Sequence, residues 1–140
     1  MKFWDTSALL PLCLTEPQTK QVQDLVRQDG DLVVWWGALI EGYSALARLR
    51  QEQVLTGEEE LQSRQVFLRL SGLWTEVRPS NLVRDQASRV LILHPLRAAD
   101  ALQLAAALVW AGSQIPRLEF VCFDLRLREA ATREGFQVIP

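Results

Sequence analysis

Two short apolar runs at opposite ends of the chain each stop at an aspartate: Phe3 and Trp4 before Asp5, and Phe120, Val121, Cys122 and Phe123 before Asp124. Runs of β-branched and aromatic residues read as buried strands, and such a strand gives way to polar sequence where the chain leaves the sheet. Open parallel sheets bind ligands outside the carboxyl ends of their strands. Two strands that deliver carboxylates to one edge bring negative charges together, at a cost that a cation or a shared proton offsets. The pattern points to a metal at a sheet edge.

Between the two runs the hydrophobic period alternates. A short helix is expected after Asp5, interrupted at Pro11, then a helix over 16–28 with Val22, Leu25 and Val26 inward, and a turn at Asp29, Gly30 and Asp31. A strand over 32–36 leads into a helix over 38–53. Thr56 and Glu59 form a capping box that opens another, with Val66, Phe67, Leu70, Leu73 and Trp74 as its apolar stripe. A weak strand over 75–78 precedes a helix from Pro79 to Leu93. His94 and Pro95 break the chain before a helix over 96–111. A strand over 118–123, a helix over 125–134 closed by Gly135, and a last strand over 136–139 complete the chain. Strands separated by helices imply parallel pairing through right-handed crossovers. The expected fold is α/β, a three-layer α/β/α sandwich with a parallel sheet of about five strands, and 140 residues suit one domain spanning 1–140.

A net charge of -2 gives no field for nonspecific binding to a polyanion, so any nucleic-acid contact must come from a local patch. Lys2 and Lys20 are the only lysines, and the arginine bias fits either bidentate phosphate contact or surface ion pairing. Cys13 and Cys122 have no paired spacing of the kind zinc or redox motifs show. The N-terminus is a poor signal peptide, and the apolar segment from Leu104 to Ala111 is too short for a bilayer. A cytoplasmic chain without a membrane anchor is expected.

Two further acids stand out. Asp100 aligns with Leu104, Ala107, Leu108 and Ala111, which puts a carboxylate on the apolar face of its helix. Glu41 follows directly from the second strand and shares a face with Ser44, Ala45 and Arg48. Each has an ordinary explanation: Asp5 and Asp124 as helix N-caps, Asp100 as a complement to its helix dipole, Glu41 as a partner for Arg48. A single acidic site explains all four together. Hard oxygen ligands without a histidine or thiolate cluster favour Mg²⁺ or Mn²⁺, and such a site suits phosphodiester hydrolysis. Arg97, one turn before Asp100, could hold a phosphate or pair with that acid.

These residues resemble a PIN domain, and within that family the VapC-type toxin ribonucleases of toxin-antitoxin pairs. The likeness covers essentially the whole chain. It is carried by Trp4 to Leu9; by Ile40 and Glu41 with Ser44, Ala45, Leu46 and Arg48; by Leu96 to Ala105; and by Phe123 and Asp124 with Leu127, Ala130, Ala131 and Gly135. The resemblance implies that Asp5, Glu41, Asp100 and Asp124 make an acidic Mg²⁺ site supported by Ser7. It further implies metal-dependent cleavage of RNA, an antitoxin that covers the site, and a homodimer. One position departs from the family pattern: Cys122 stands where relatives carry Thr or Ser, and a thiol is the weaker hydrogen-bond partner.

Other readings fare less well. An aspartyl-phosphate phosphotransferase would carry a second acid where Ser7 stands and a lysine near a late strand, and a nucleotide-binding loop would be glycine-rich where Thr6, Ser7 and Ala8 stand. The rival that remains is a noncatalytic PIN-like module that binds RNA or protein. His94, the only histidine, reads as structural. The first two helices and the stripe around Phe67 and Trp74 offer either a dimer or antitoxin surface or simply cover for the sheet.

Overall fold

The computed structural model describes all residues, Met1–Pro140. Five strands form one sheet: β1 (Lys2–Trp4), β2 (Leu32–Trp35), β3 (Thr75–Val77), β4 (Glu119–Val121) and β5 (Gln137–Ile139). Every neighbouring pair is parallel, in the order β3-β2-β1-β4-β5. Seven α-helices connect them: α1 (Thr6–Leu9), α2 (Thr19–Gln28), α3 (Ala38–Gln51), α4 (Gly57–Ser71), α5 (Asn81–Leu93), α6 (Ala98–Ala111) and α7 (Leu125–Glu134).

Strand alternation sorts the core into two layers. Phe3, Val33 and Phe120 pack with α5, α6 and α7, through residues such as Val90, Leu104 and Leu127. Trp4, Val34 and Val121 point to the opposite face and pack with α1 to α4, through Leu9, Val22, Ala38 and Phe67. The three-layer sandwich follows from a sheet whose strands are apolar on both faces. Close approach of α3 to α4 depends on Gly42, where an added Cβ would lie 2.0 Å from the Phe67 ring.

Several boundaries differ from those the sequence suggests. The helix expected from Glu16 starts at Thr19, whose hydroxyl accepts from Glu16 N and donates to Leu14 O, so a side-chain turn occupies the first residues. The helix expected from Pro79 starts at Asn81, because Ser80 Oγ caps Val83 N. The helix expected from Leu96 starts at Ala98; His94, ahead of Pro95, is extended, and Arg97 is the N-cap residue. The third helix ends at Gln51 rather than Gln53, β2 at Trp35, and β4 at Val121, where Phe123 N turns to the Ser7 hydroxyl. A 3-10 helix over Gly112–Arg117 has no apolar period and escapes sequence reading.

Phe67 and Trp74 are interior, so that stripe covers the sheet rather than presenting a docking face. Trp74 also lies beyond the end of α4 and enters the core from the turn before β3, while Leu73 is exposed. In the first two helices Leu9 and Val22 are likewise buried. His94 is buried and paired with Glu134 at 2.7 Å, which fits the structural role expected of it. No single helix is long and apolar enough to cross a membrane.

Candidate active site

The carboxyl ends of β1 and β4 and the first turns of α3 and α6 open into a cleft of about 680 Å³. Asp5, Glu41, Asp100 and Asp124 all line it, as do Ser7 and Arg97. Each acid arrives on a different element. Asp5 ends β1 and caps α1; Glu41 lies in the first turn of α3; Asp100 lies in the first turn of α6; Asp124 follows β4 and caps α7. The capping roles considered for Asp5 and Asp124 therefore coexist with a place in the cleft. Asp100 continues the face of Leu104, Ala107 and Leu108, but it sits at the helix mouth and is half-buried.

Glu41 has no ion pair with Arg48. Its Oε2 instead accepts from Thr6 Oγ1 at 3.0 Å and from Gln103 Nε2 at 2.7 Å. Gln103 also donates to Thr6 Oγ1 at 2.9 Å, so α1, α3 and α6 meet in one buried polar knot. Thr6 and Gln103 are additions to the site residues expected from the sequence. Gln103 lies three residues after Asp100 and hence on the same helix face, a spacing that by itself singles out no uncharged amide.

Asp5 is buried at the base of the cleft. Its Oδ2 accepts from Ser7 N at 3.0 Å, from Ser7 Oγ at 2.5 Å and from the Cys122 thiol at 3.5 Å. Ser7 Oγ in turn accepts from Phe123 N at 2.9 Å and Asp124 N at 3.3 Å. One hydroxyl thus ties the end of β1 to the turn after β4. Cys122 keeps a donor in place, at the longer reach of sulfur.

Electrostatics join the four acids. Burial pushes the Glu41 carboxyl up to about 7, against the hydrogen bonds from Gln103 and Thr6, and the charges of Asp5 and Asp100 push the same way as burial. Asp5 is raised by burial, against the bonds from Ser7 and Cys122. Asp100 is raised by burial and then by the charge of Asp124. Raised carboxyls that sense one another in a cleft mark a place where negative charge is under-compensated.

The donor set is all hard oxygen, which suits Mg²⁺ or Mn²⁺. Glu41 Oε1 and Asp124 Oδ2 accept no hydrogen bond from the chain, so each of these two acids has an oxygen to offer. The side chains are not drawn onto a common point: no three His, Cys, Asp or Glu residues form a compact ligand group. Mutual repulsion spreads carboxylates that share a cleft.

No family model matches the chain, and no curated protein matches it. Solved structures do. A toxin-antitoxin complex from Klebsiella pneumoniae aligns over 100% of this chain and 97% of that chain, with a TM-score of 0.66 and 13% identity. FitAcB from Neisseria gonorrhoeae aligns over 100% of this chain and 97% of that chain, with a TM-score of 0.65 and 19% identity. The likeness is one of fold. It covers the whole of this chain and nearly the whole of each neighbour.

Proposed function

We propose that this chain is a metal-dependent endoribonuclease of the PIN, VapC-like kind, acting in the cytoplasm as the toxin of a toxin-antitoxin pair. The observation that carries the reading is the convergence of Asp5, Glu41, Asp100 and Asp124 from four elements on one cleft. Its fold likeness to a toxin-antitoxin complex supports a cognate antitoxin as partner. The family resemblance supports a homodimer; a monomer by light scattering after size exclusion would remove that part.

Asp5, Asp100, Asp124 and Glu41 would hold Mg²⁺ or Mn²⁺. The ion would supply Lewis-acid polarisation of a phosphate oxygen and a nucleophilic water at neutral pH. The chain's own part is to place the acids and handle the proton. Glu41, with Oε2 fixed by Thr6 and Gln103 and Oε1 unpartnered, suits taking a proton from the attacking water. Ser7 fixes Asp5 against the turn that carries Asp124.

Calorimetry with Mn²⁺ on the wild type and on Asp100→Asn, paired with an RNA cleavage assay that includes Asp5→Asn, tests the reading. Ion binding and cleavage lost in the variants support it. Cleavage that persists unchanged in Asp5→Asn sinks it. A noncatalytic RNA- or protein-binding module is the second reading, favoured by the absence of a compact ligand group. It takes over if the wild type binds no ion even with an RNA analogue present.

A further inference from the structure

Three arginines line the same cleft as the four acids: Arg48, Arg97 and Arg126. None of the three lies within 4 Å of a carboxylate, and none of their guanidinium groups donates a hydrogen bond within the chain. Elsewhere in the chain Arg69, Arg78, Arg84 and Arg117 are also unpaired but lie outside the cleft, and other arginines are committed. Arg89 pairs with Glu134 at 2.7 Å, Arg133 with Glu129 at 2.6 Å, Arg27 with Asp24 at 2.6 Å, and Arg50 with Glu60. A guanidinium that stands near several carboxylates and bonds to none keeps its fork open for another anion.

Their distribution follows the layers. Arg48 comes from α3, which packs on one face of the sheet; Arg97 caps α6 and Arg126 lies in the first turn of α7, both on the other face. The carboxylates of Asp5 and Asp124 leave the sheet edge between them. An anionic strand laid across that edge meets cations on both sides of the acids.

We infer that Arg48, Arg97 and Arg126 hold the phosphates on either side of the scissile bond, so that an RNA strand crosses the carboxyl edge of the sheet from the α3 layer to the α6 and α7 layer. The inference rests on the nuclease reading and assigns the substrate contacts within it. It also accounts for nucleic-acid binding by a chain of net charge -2: the cationic patch is local, and set into the site itself. Arginine suits this place because its planar fork grips phosphate oxygens in pairs, and it stays charged beside raised carboxyls.

The test is fluorescence anisotropy with a labelled single-stranded RNA of mixed sequence, in EDTA so that nothing is cut, at several salt concentrations. Each phosphate contact contributes about 0.7 to the slope of log K against log salt for single strands. Arg48→Ala, Arg97→Ala and Arg126→Ala are each expected to lower the slope by about that amount, and to weaken binding about tenfold at fixed salt. Arg97→Lys keeps the charge and should keep the slope while losing affinity, which a merely structural arginine would not do. Arg117→Ala, in the 3-10 helix at the amino end of β4, should change neither quantity. Slopes and affinities of the three alanine variants equal to wild type, with their melting temperatures unchanged, overturn the inference. Mn²⁺ calorimetry on the same proteins separates the two claims. If ion binding stands while the arginines prove indifferent, only the substrate path fails; if the wild type binds no ion, the nuclease reading fails and takes the path with it.

Discussion

Gln103 Nε2 donates to Glu41 Oε2 at 2.7 Å, a bond between α6 on one side of the sheet and α3 on the other. Gln103 is almost fully buried, and Thr6 Oγ1 bonds to both residues, accepting from Gln103 and donating to Glu41. Replacing Gln103 with Leu keeps the volume and removes the donor. Hydrogen bonds to charged groups are worth about 1.5–3 kcal/mol, so urea unfolding at pH 8 should show a loss of that order. A variant as stable as wild type would mean that the knot does not hold the two layers together.

Glu41 also makes stability depend on pH. Its carboxyl is pushed up to about 7 in the fold from an ordinary 4.5, so between those values the folded chain binds more protons than the unfolded one. Stability from this residue is therefore fully present below about 4.5 and is lost as pH rises through about 7. Relative to wild type, Glu41→Gln should gain stability steadily across that window and level off above it. Mn²⁺ affinity of the wild type should climb over the same range, because the ion competes with the proton; a flat calorimetric profile from pH 5.5 to 8 would contradict this.

Ser7 serves two strand ends with one oxygen. Ser7→Ala removes a donor from Asp5 and leaves Phe123 N and Asp124 N without their acceptor. Outer partners of metal ligands cost 10–100-fold in affinity when lost, and a drop in Mn²⁺ affinity of about that size is expected by calorimetry. Cys122→Ser should stay close to wild type, since a hydroxyl replaces the thiol donor beside Asp5.

Gly42 fixes how near α3 lies to α4. An Ala there would place its methyl inside the Phe67 ring, and overpacking of this kind costs about 1–3 kcal/mol. Gly42→Ala should melt several degrees lower. The double variant with Phe67→Leu should recover part of the loss, and no recovery would place the strain elsewhere.

The strands and long helices were legible because their periods are strong: Leu32 to Trp35 is apolar on both faces, and the Thr56 and Glu59 capping box forms as the sequence says. Helix starts were less so. Those at Thr19, Asn81 and Ala98 depend on side-chain turns and on the restraint before a proline, which apolar period does not encode. Trp74 shows the reverse error, a buried residue credited to a helix that has already ended. At the site, Asp5, Asp100 and Asp124 stand out as charges ending or interrupting apolar stretches and Glu41 by following directly from the second strand, and all four line one cleft. Gln103 and Arg126 do not stand out, since an uncharged amide within an apolar helix and an arginine on a polar one give no such contrast.

The order of the strands sets when the cleft can exist. β1, the first of the five strands, lies between β2 and β4, and its residues Phe3 and Trp4 pair with Phe120 and Val121. Asp5 therefore meets Asp124 only once β4 has paired with β1 across the long stretch of chain between them. Ribosomes release domains N-terminus first, and a long-range parallel pairing of this kind closes late and slowly. Without β4, Asp5, Glu41 and Asp100 lack the strand that brings Asp124 to the same edge, so the cleft depends on the pairing most distant in sequence that β1 makes.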